Sequence, residues 1–216
     1  MSILSATSPL EVEVSRIREL SKTGRHTEAL AAAELLAEAA PQNRDVLYLI
    51  AANQRCLNRT HEALATLERL EQRHPRYSLL YQERGYCFVT LRDAPRAIEA
   101  FLRGVDINPA LAASWSMLER LYRMTGDVGN AAAAAERVST LKTMPPEVVR
   151  AGSLFSDGEL PAAENILRAY LLKSGDDVEA LRLMARIEHQ LDVLYAAELQ
   201  RAPRAVEAPT FRSARG

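Results

Sequence analysis

Few residues of this chain have types and spacings that could do chemistry. Lys22-Thr23-Gly24 and Ser139-Thr140-Leu141-Lys142 are the parts of a lysine-activated serine nucleophile, but they stand in the wrong chain order. Asn58-Arg59-Thr60 is an N-glycosylation sequon, which is used only on an exported chain. His26, His61, His74 and His189 have no metal-ligand spacing, and His61-Glu62 opens no His-Glu-x-x-His motif. No glycine-rich phosphate loop occurs, and Asp176 and Asp177 would repel a phosphate held at Lys173-Ser174-Gly175. No nucleophile, base and orienting group share a defensible spacing. The expectation is a chain with no catalytic residue, no cofactor and no metal.

The elements that must position any site are helices. Of 216 residues, 35 are alanine and only 6% are aromatic, which favours closely packed helices over a sandwich of strands. The apolar fraction of 48% supports a real core. A net charge of -1 gives no global reason to expect nucleic acid or a membrane surface. No apolar run reaches the length of a membrane span, and the first residues show no secretory signal. Cys56 and Cys87 stand in apolar helical contexts and read as reduced, buried thiols of a cytoplasmic protein.

A period of 34 residues organises the chain. Arg25–Pro41, Arg59–Pro75 and Asp93–Pro109 align in one register, each ending on a proline. Twelve residues before these prolines stand Ala29, Ala63 and Ala97, and one step further lies Ala131. Five residues before the alanines stand Gly24, Asn58, Arg92 and Gly126, where glycine and asparagine suit a left-handed helix end. Each unit therefore reads as a first helix, a tight turn, a second helix and a proline-closed loop. The units are 10–43, 44–77, 78–111 and 112–145. A fifth, 144–177, follows a two-residue slip, with Gly158 and Ala163 in the columns, and a partial sixth covers 178–200. Residues 1–9 form an N-terminal extension. Residues 201–216 form an Arg/Ala/Pro-rich flexible tail with four Arg and one Glu.

This pattern resembles the tetratricopeptide repeat (TPR) family. Unit 78–111 matches at Tyr81, Gly85, Phe88, Ala97, Phe101 and Pro109, and unit 112–145 at Trp115, Leu118, Tyr122 and Ala131. The resemblance implies an all-α, right-handed αα-hairpin superhelix, a TPR solenoid of five complete repeats plus a partial sixth. Its concave groove would be lined by the first helix of each unit. The middle units also resemble the repeat region that precedes the catalytic domain in bacterial TPR-sulfotransferase fusions. That resemblance implies an alternative function, the non-catalytic, substrate-recruiting or regulatory part of a sulfotransferase whose catalytic domain is absent here.

Carried over position by position, the groove would present Arg18, Tyr48, Leu49, Arg55, Gln82, Tyr86, Ser116, Met117, Arg120, Arg123, Arg182 and Arg186. The family's carboxylate clamp is missing, because its positions hold Val14, Arg18, Leu49, Leu79 and Glu83. An apolar centre with arginines toward one end suits a protein or peptide ligand that is apolar with some acidic character. The main expectation is a scaffold or adaptor. No polar cap closes the C-terminal edge, which invites self-association there.

Overall fold

The computed structural model describes residues 8–201, so the tail and most of the N-terminal extension lie outside the described residues. Described residues form eleven helices and no strand: α1 (Pro9–Lys22), α2 (His26–Ala39), α3 (Arg44–Cys56), α4 (Thr60–Arg73), α5 (Ser78–Thr90), α6 (Ala94–Ile107), α7 (Ala112–Thr125), α8 (Val128–Thr143), α9 (Pro146–Ser156), α10 (Leu160–Leu171) and α11 (Val178–Arg201). Helices α1 to α10 are five antiparallel hairpins.

Local chemistry sets the helix ends. Ser8 and Glu11 form a reciprocal capping box at α1, and the side chains of Asn43, Asp93 and Asp127 accept backbone N–H bonds at the starts of α3, α6 and α8. The turns inside the hairpins all use one left-handed residue. Gly24, Asn58, Arg92, Gly126 and Gly158 have φ of 77°, 61°, 58°, 79° and 80°. The residues before the loop prolines, Ala40, His74 and Asn108, have φ of −136°, −132° and −134°, the extended backbone a following proline enforces.

The alanine column lies in the core because the two helices of a hairpin approach each other there. Ala29, Ala63, Ala97 and Ala163 are fully buried and Ala131 nearly so. In the third hairpin the approach is closest at Gly85, where an added Cβ would stand 2.6 Å from the ring of Phe101. Phe101 also packs with Leu111, Leu118 and Leu121, so one ring joins the third hairpin to the fourth.

The stacking changes direction after α8. Helices α2, α4 and α6 each have 14 residues, whereas α8 has 16. The proline column reaches Thr143, which does not stop a helix, and α8 ends only before Met144-Pro145. Two extra residues rotate the point of exit by about 200° around the helix axis. Consecutive helices pack on each other from α1 through α8 and again from α9 through α11, but α8 and α9 share no comparable interface.

Instead, the α9–α10 turn lodges against the second and third hairpins. Asp157 Oδ1 accepts from the Ser78 backbone N–H at 3.0 Å. Asn108 Nδ2 lies within hydrogen-bonding distance of Asp157 Oδ2 at 3.1 Å and Ser153 Oγ at 2.9 Å. Arg44, half-buried over the Tyr77 ring at 4.6 Å, pairs with Glu159. The sixth unit also differs from the expected hairpin. α11 passes through Ala197 as one uninterrupted helix, because nothing near Asp192 supplies the left-handed turn found in the other units.

Candidate functional site

The first helices α1, α3, α5 and α7 are tied side by side by polar bridges. Arg18 Nη2 lies 2.9 Å from Asp45 Oδ1. Ser21 and Asn53 exchange hydrogen bonds, and Ser114 Oγ donates to Gln82 Oε1 at 3.0 Å. Between α3 and α5, Arg55 Nε donates to Glu83 Oε2 at 2.6 Å, with the Glu83 side chain 5% exposed. The Arg55 guanidinium also stands 5.1 Å from the Tyr86 ring centroid. Tyr86 meets Phe101 edge-on at 5.3 Å, and Tyr48 meets Tyr77 edge-on at 5.7 Å. Burial pushes the phenols of Tyr48, Tyr77 and Tyr86 up, with the nearby Glu83 carboxylate adding to the effect at Tyr48 and Tyr86, so all three stay neutral.

The expected groove residues fall into five groups. Tyr48, Tyr86, Ser116 and Met117 are half-buried on this row of first helices. Arg120 is exposed beside Met117, with its Nη1 4.0 Å from the sulfur and no carboxylate partner among the described residues. Arg18, Arg55, Gln82 and Arg123 are already engaged, Arg123 with Glu119 at 2.7 Å. Leu49 is 3% exposed and belongs to the core between the first two hairpins, so it offers no surface. Leu49 packs in one core cluster with Val14 and Ile17 of α1.

Arg182 and Arg186 are not part of this row. They line a cleft of about 840 Å³ between α6, α8, α9 and α11, with Trp115, Leu141 and Phe155. Arg186 lies 4.7 Å over the Phe155 ring. The change of direction after α8 carries them there. The two-residue slip in the sequence was the available signal for it. Nothing in the sequence pattern pointed to Asn108, Ser153 and Asp157, because their partners are 45 to 79 residues away.

The short motifs are structural. Gly24 and Asn58 are hairpin turns. His26 Nδ1 and His74 Nε2 lie 3.0 Å and 3.1 Å from Asn53 Oδ1 and Gln42 O, bridging neighbouring hairpins. Among the described residues, no group of three His, Cys, Asp or Glu is placed to hold a metal ion. Cys87 is buried and its thiol is pushed up to about 12, whereas Cys56, expected to be buried, is exposed at the last turn of α3.

Solved structures superpose on most of the chain. TTC0263, a thermophilic TPR protein of Thermus thermophilus, is 23% identical over 84% of this chain and 98% of its own, with a TM-score of 0.57. The fold is a TPR solenoid. A crystal structure of MamA is 16% identical over 79% of this chain and 94% of its own, with a TM-score of 0.52. A chain of the Naa15/Naa10 complex bound to HypK-THB is 15% identical, covering 91% of this chain and 37% of its own, with a TM-score of 0.57. No protein-family model and no curated protein matches the sequence. In the described TPR solenoid no helix is long and apolar enough to cross a membrane.

Proposed function

We propose that the chain is a protein-interaction scaffold that takes a partner segment along the row α3, α5 and α7. The observation that carries this reading is Arg120, without a carboxylate partner among the described residues, beside half-buried Met117 on a row of helices that also carries half-buried Tyr48 and Tyr86. Rigid aromatic faces beside a free arginine are the usual anchors of protein interfaces. The matching ligand is an extended or helical peptide with apolar side chains and an acidic group opposite Arg120. Arg55 is a positioning residue, since its charge is spent on Glu83 and its plane on Tyr86. A reduced, cytoplasmic setting suits two free thiols, one of them exposed.

Self-association through the C-terminal edge and the sulfotransferase-recruiting alternative have no observation of their own in this chain.

The groove is tested by capture from native lysate with the parent chain and with Met117→Asp/Arg120→Glu. Arg120 is exposed and Met117 half-buried against the core, so far-UV circular dichroism and a thermal midpoint are read alongside to confirm that the variant keeps the fold. Loss of a specifically captured protein supports the groove, and equal capture by both chains rejects it. Truncating Tyr48 or Tyr86 is a poorer test, because each ring also holds the core through Tyr77 or Phe101.

A further inference from the structure

The change of direction after α8 leaves apolar surface uncovered. Helices α2, α4 and α6 each pack on the first helix that follows them. Helices α8 and α9 share no comparable interface, and the cleft of about 840 Å³ opens beside them. Its floor is Leu102 of α6, Trp115 of α7, Leu141 and Met144 of α8, and Val149 and Phe155 of α9. Leu102 is 41% exposed and the other five are half-buried. The indole N–H of Trp115 donates to Pro109 O at 3.0 Å, so the ring offers the cleft only apolar surface.

The charges around this floor do not balance. Glu179 pairs with Arg182 at 2.7 Å, and Asp106 stands 3.8 Å from Arg103, so both lining carboxylates are offset. Arg137 of α8 is exposed and has no carboxylate partner among the described residues. Arg186 of α11 is held over the Phe155 ring at 4.7 Å, a contact that orients the guanidinium without neutralising it. Two helices that line an apolar cleft thus each carry an uncompensated cation.

We infer that the cleft takes an acidic, amphipathic helix presented by a partner protein. Its apolar stripe lies on the floor, with one carboxylate toward Arg137 and another toward Arg186. The incoming helix supplies the packing that α8 and α9 do not give each other. A helix about 10 Å across fills about 840 Å³ over about two turns. Two turns present apolar anchors at i, i+3, i+4 and i+7, the helix-in-groove mode. An extended segment would lay unpaired backbone groups on the apolar floor, whereas a helix bonds its own. A basic helix would meet Arg137 and Arg186 as like charges.

The site is separate from the row α3, α5 and α7 and stands without it. Trp115 is the chain's one tryptophan, so its emission reports on the cleft. The full chain is titrated with a capped peptide of about fifteen residues, long enough to become helical. The peptide has no Trp or Tyr, carries Leu at the four anchor positions and has Glu on both flanks. Its scrambled isomer, its Lys-for-Glu analogue and dodecanoate are titrated in parallel. The acidic peptide is expected to shift Trp115 emission saturably, with each of the other three binding about tenfold more weakly or worse. Arg137→Glu weakens the acidic peptide by about tenfold and binds the Lys analogue more tightly than the parent does, a reversal that no folding defect produces. Arg120→Glu, which disables the other row, leaves this binding unchanged. The inference is overturned by no shift with the acidic peptide, by an equal shift with the scrambled isomer, or by dodecanoate binding as tightly. Loss of binding in Arg120→Glu but not in Arg137→Glu overturns it too.

Discussion

At the scale of the residue, the turn column and the Gly85–Phe101 contact are the most exacting positions. Arg92 holds φ of 58° where Gly stands in three sister turns. A non-glycine left-handed residue stores about 1 kcal/mol or slightly more, so Arg92→Gly raises stability by up to about that amount, less the entropy glycine adds to the unfolded chain. A urea midpoint below the parent's would contradict this. Gly85→Ala forces its new methyl against Phe101. Overpacking costs about 1–3 kcal/mol against about 1 kcal/mol returned by helix propensity, so the variant is destabilised and Phe101→Leu in the same chain restores part of the loss. The two thiols separate cleanly. A thiol reagent at mildly alkaline pH modifies Cys56 in the native chain and reaches Cys87 only on unfolding, since burial disfavours both access to it and its thiolate.

At the scale of the element, Glu71 joins α4 to α5. Its Oε2 accepts from Arg84 Nη2 at 2.6 Å, and its Oε1 lies 3.1 Å from Tyr81 Oη. The Arg84 hydrogen bond holds this carboxyl below its ordinary range, against the upward push of burial. The folded pKa is thus below the unfolded one, near 4.3. The stabilisation is present above that value and is lost as pH falls through the folded pKa. Glu71→Gln therefore loses stability at neutral pH and shows a shallower acid limb, read from thermal midpoints across the pH range. The hairpins themselves were legible in the sequence, because a proline, an alanine and a left-handed turn residue each recur every 34 residues. The length of α8 was legible only as a two-residue slip, since its consequence is a rotation that no local pattern encodes.

At the scale of the molecule, a solenoid whose units touch only their neighbours unfolds as a nearly additive chain. This one is closed on itself by Asn108, Asp157 and Arg44, across 49 to 115 residues. Asn108→Ala removes the amide that bridges half-buried Asp157 and Ser153 and costs about 1 kcal/mol or slightly more. Hydrogen exchange in that variant speeds up in α9 and α10 before α3 and α4. Uniform acceleration would show that the contact is not a latch. The groove expectation puts Tyr48, Tyr86 and Met117 on the first helices, where they are half-buried. It failed at Leu49, which the core claims, and at Arg182 and Arg186, which the change of direction carries to another cleft.

The row α3, α5 and α7 is tested most directly by site-specific photo-crosslinking. A photoreactive side chain is placed at Ser116 on α7 in one chain and at exposed Ala65 on α4 in another, and both are irradiated in native lysate. The account predicts a discrete adduct from position 116 that Arg120→Glu abolishes, and none of that mass from position 65. The same adduct from position 65 alone, or from both positions regardless of Arg120, would place the partner on the second helices and contradict it.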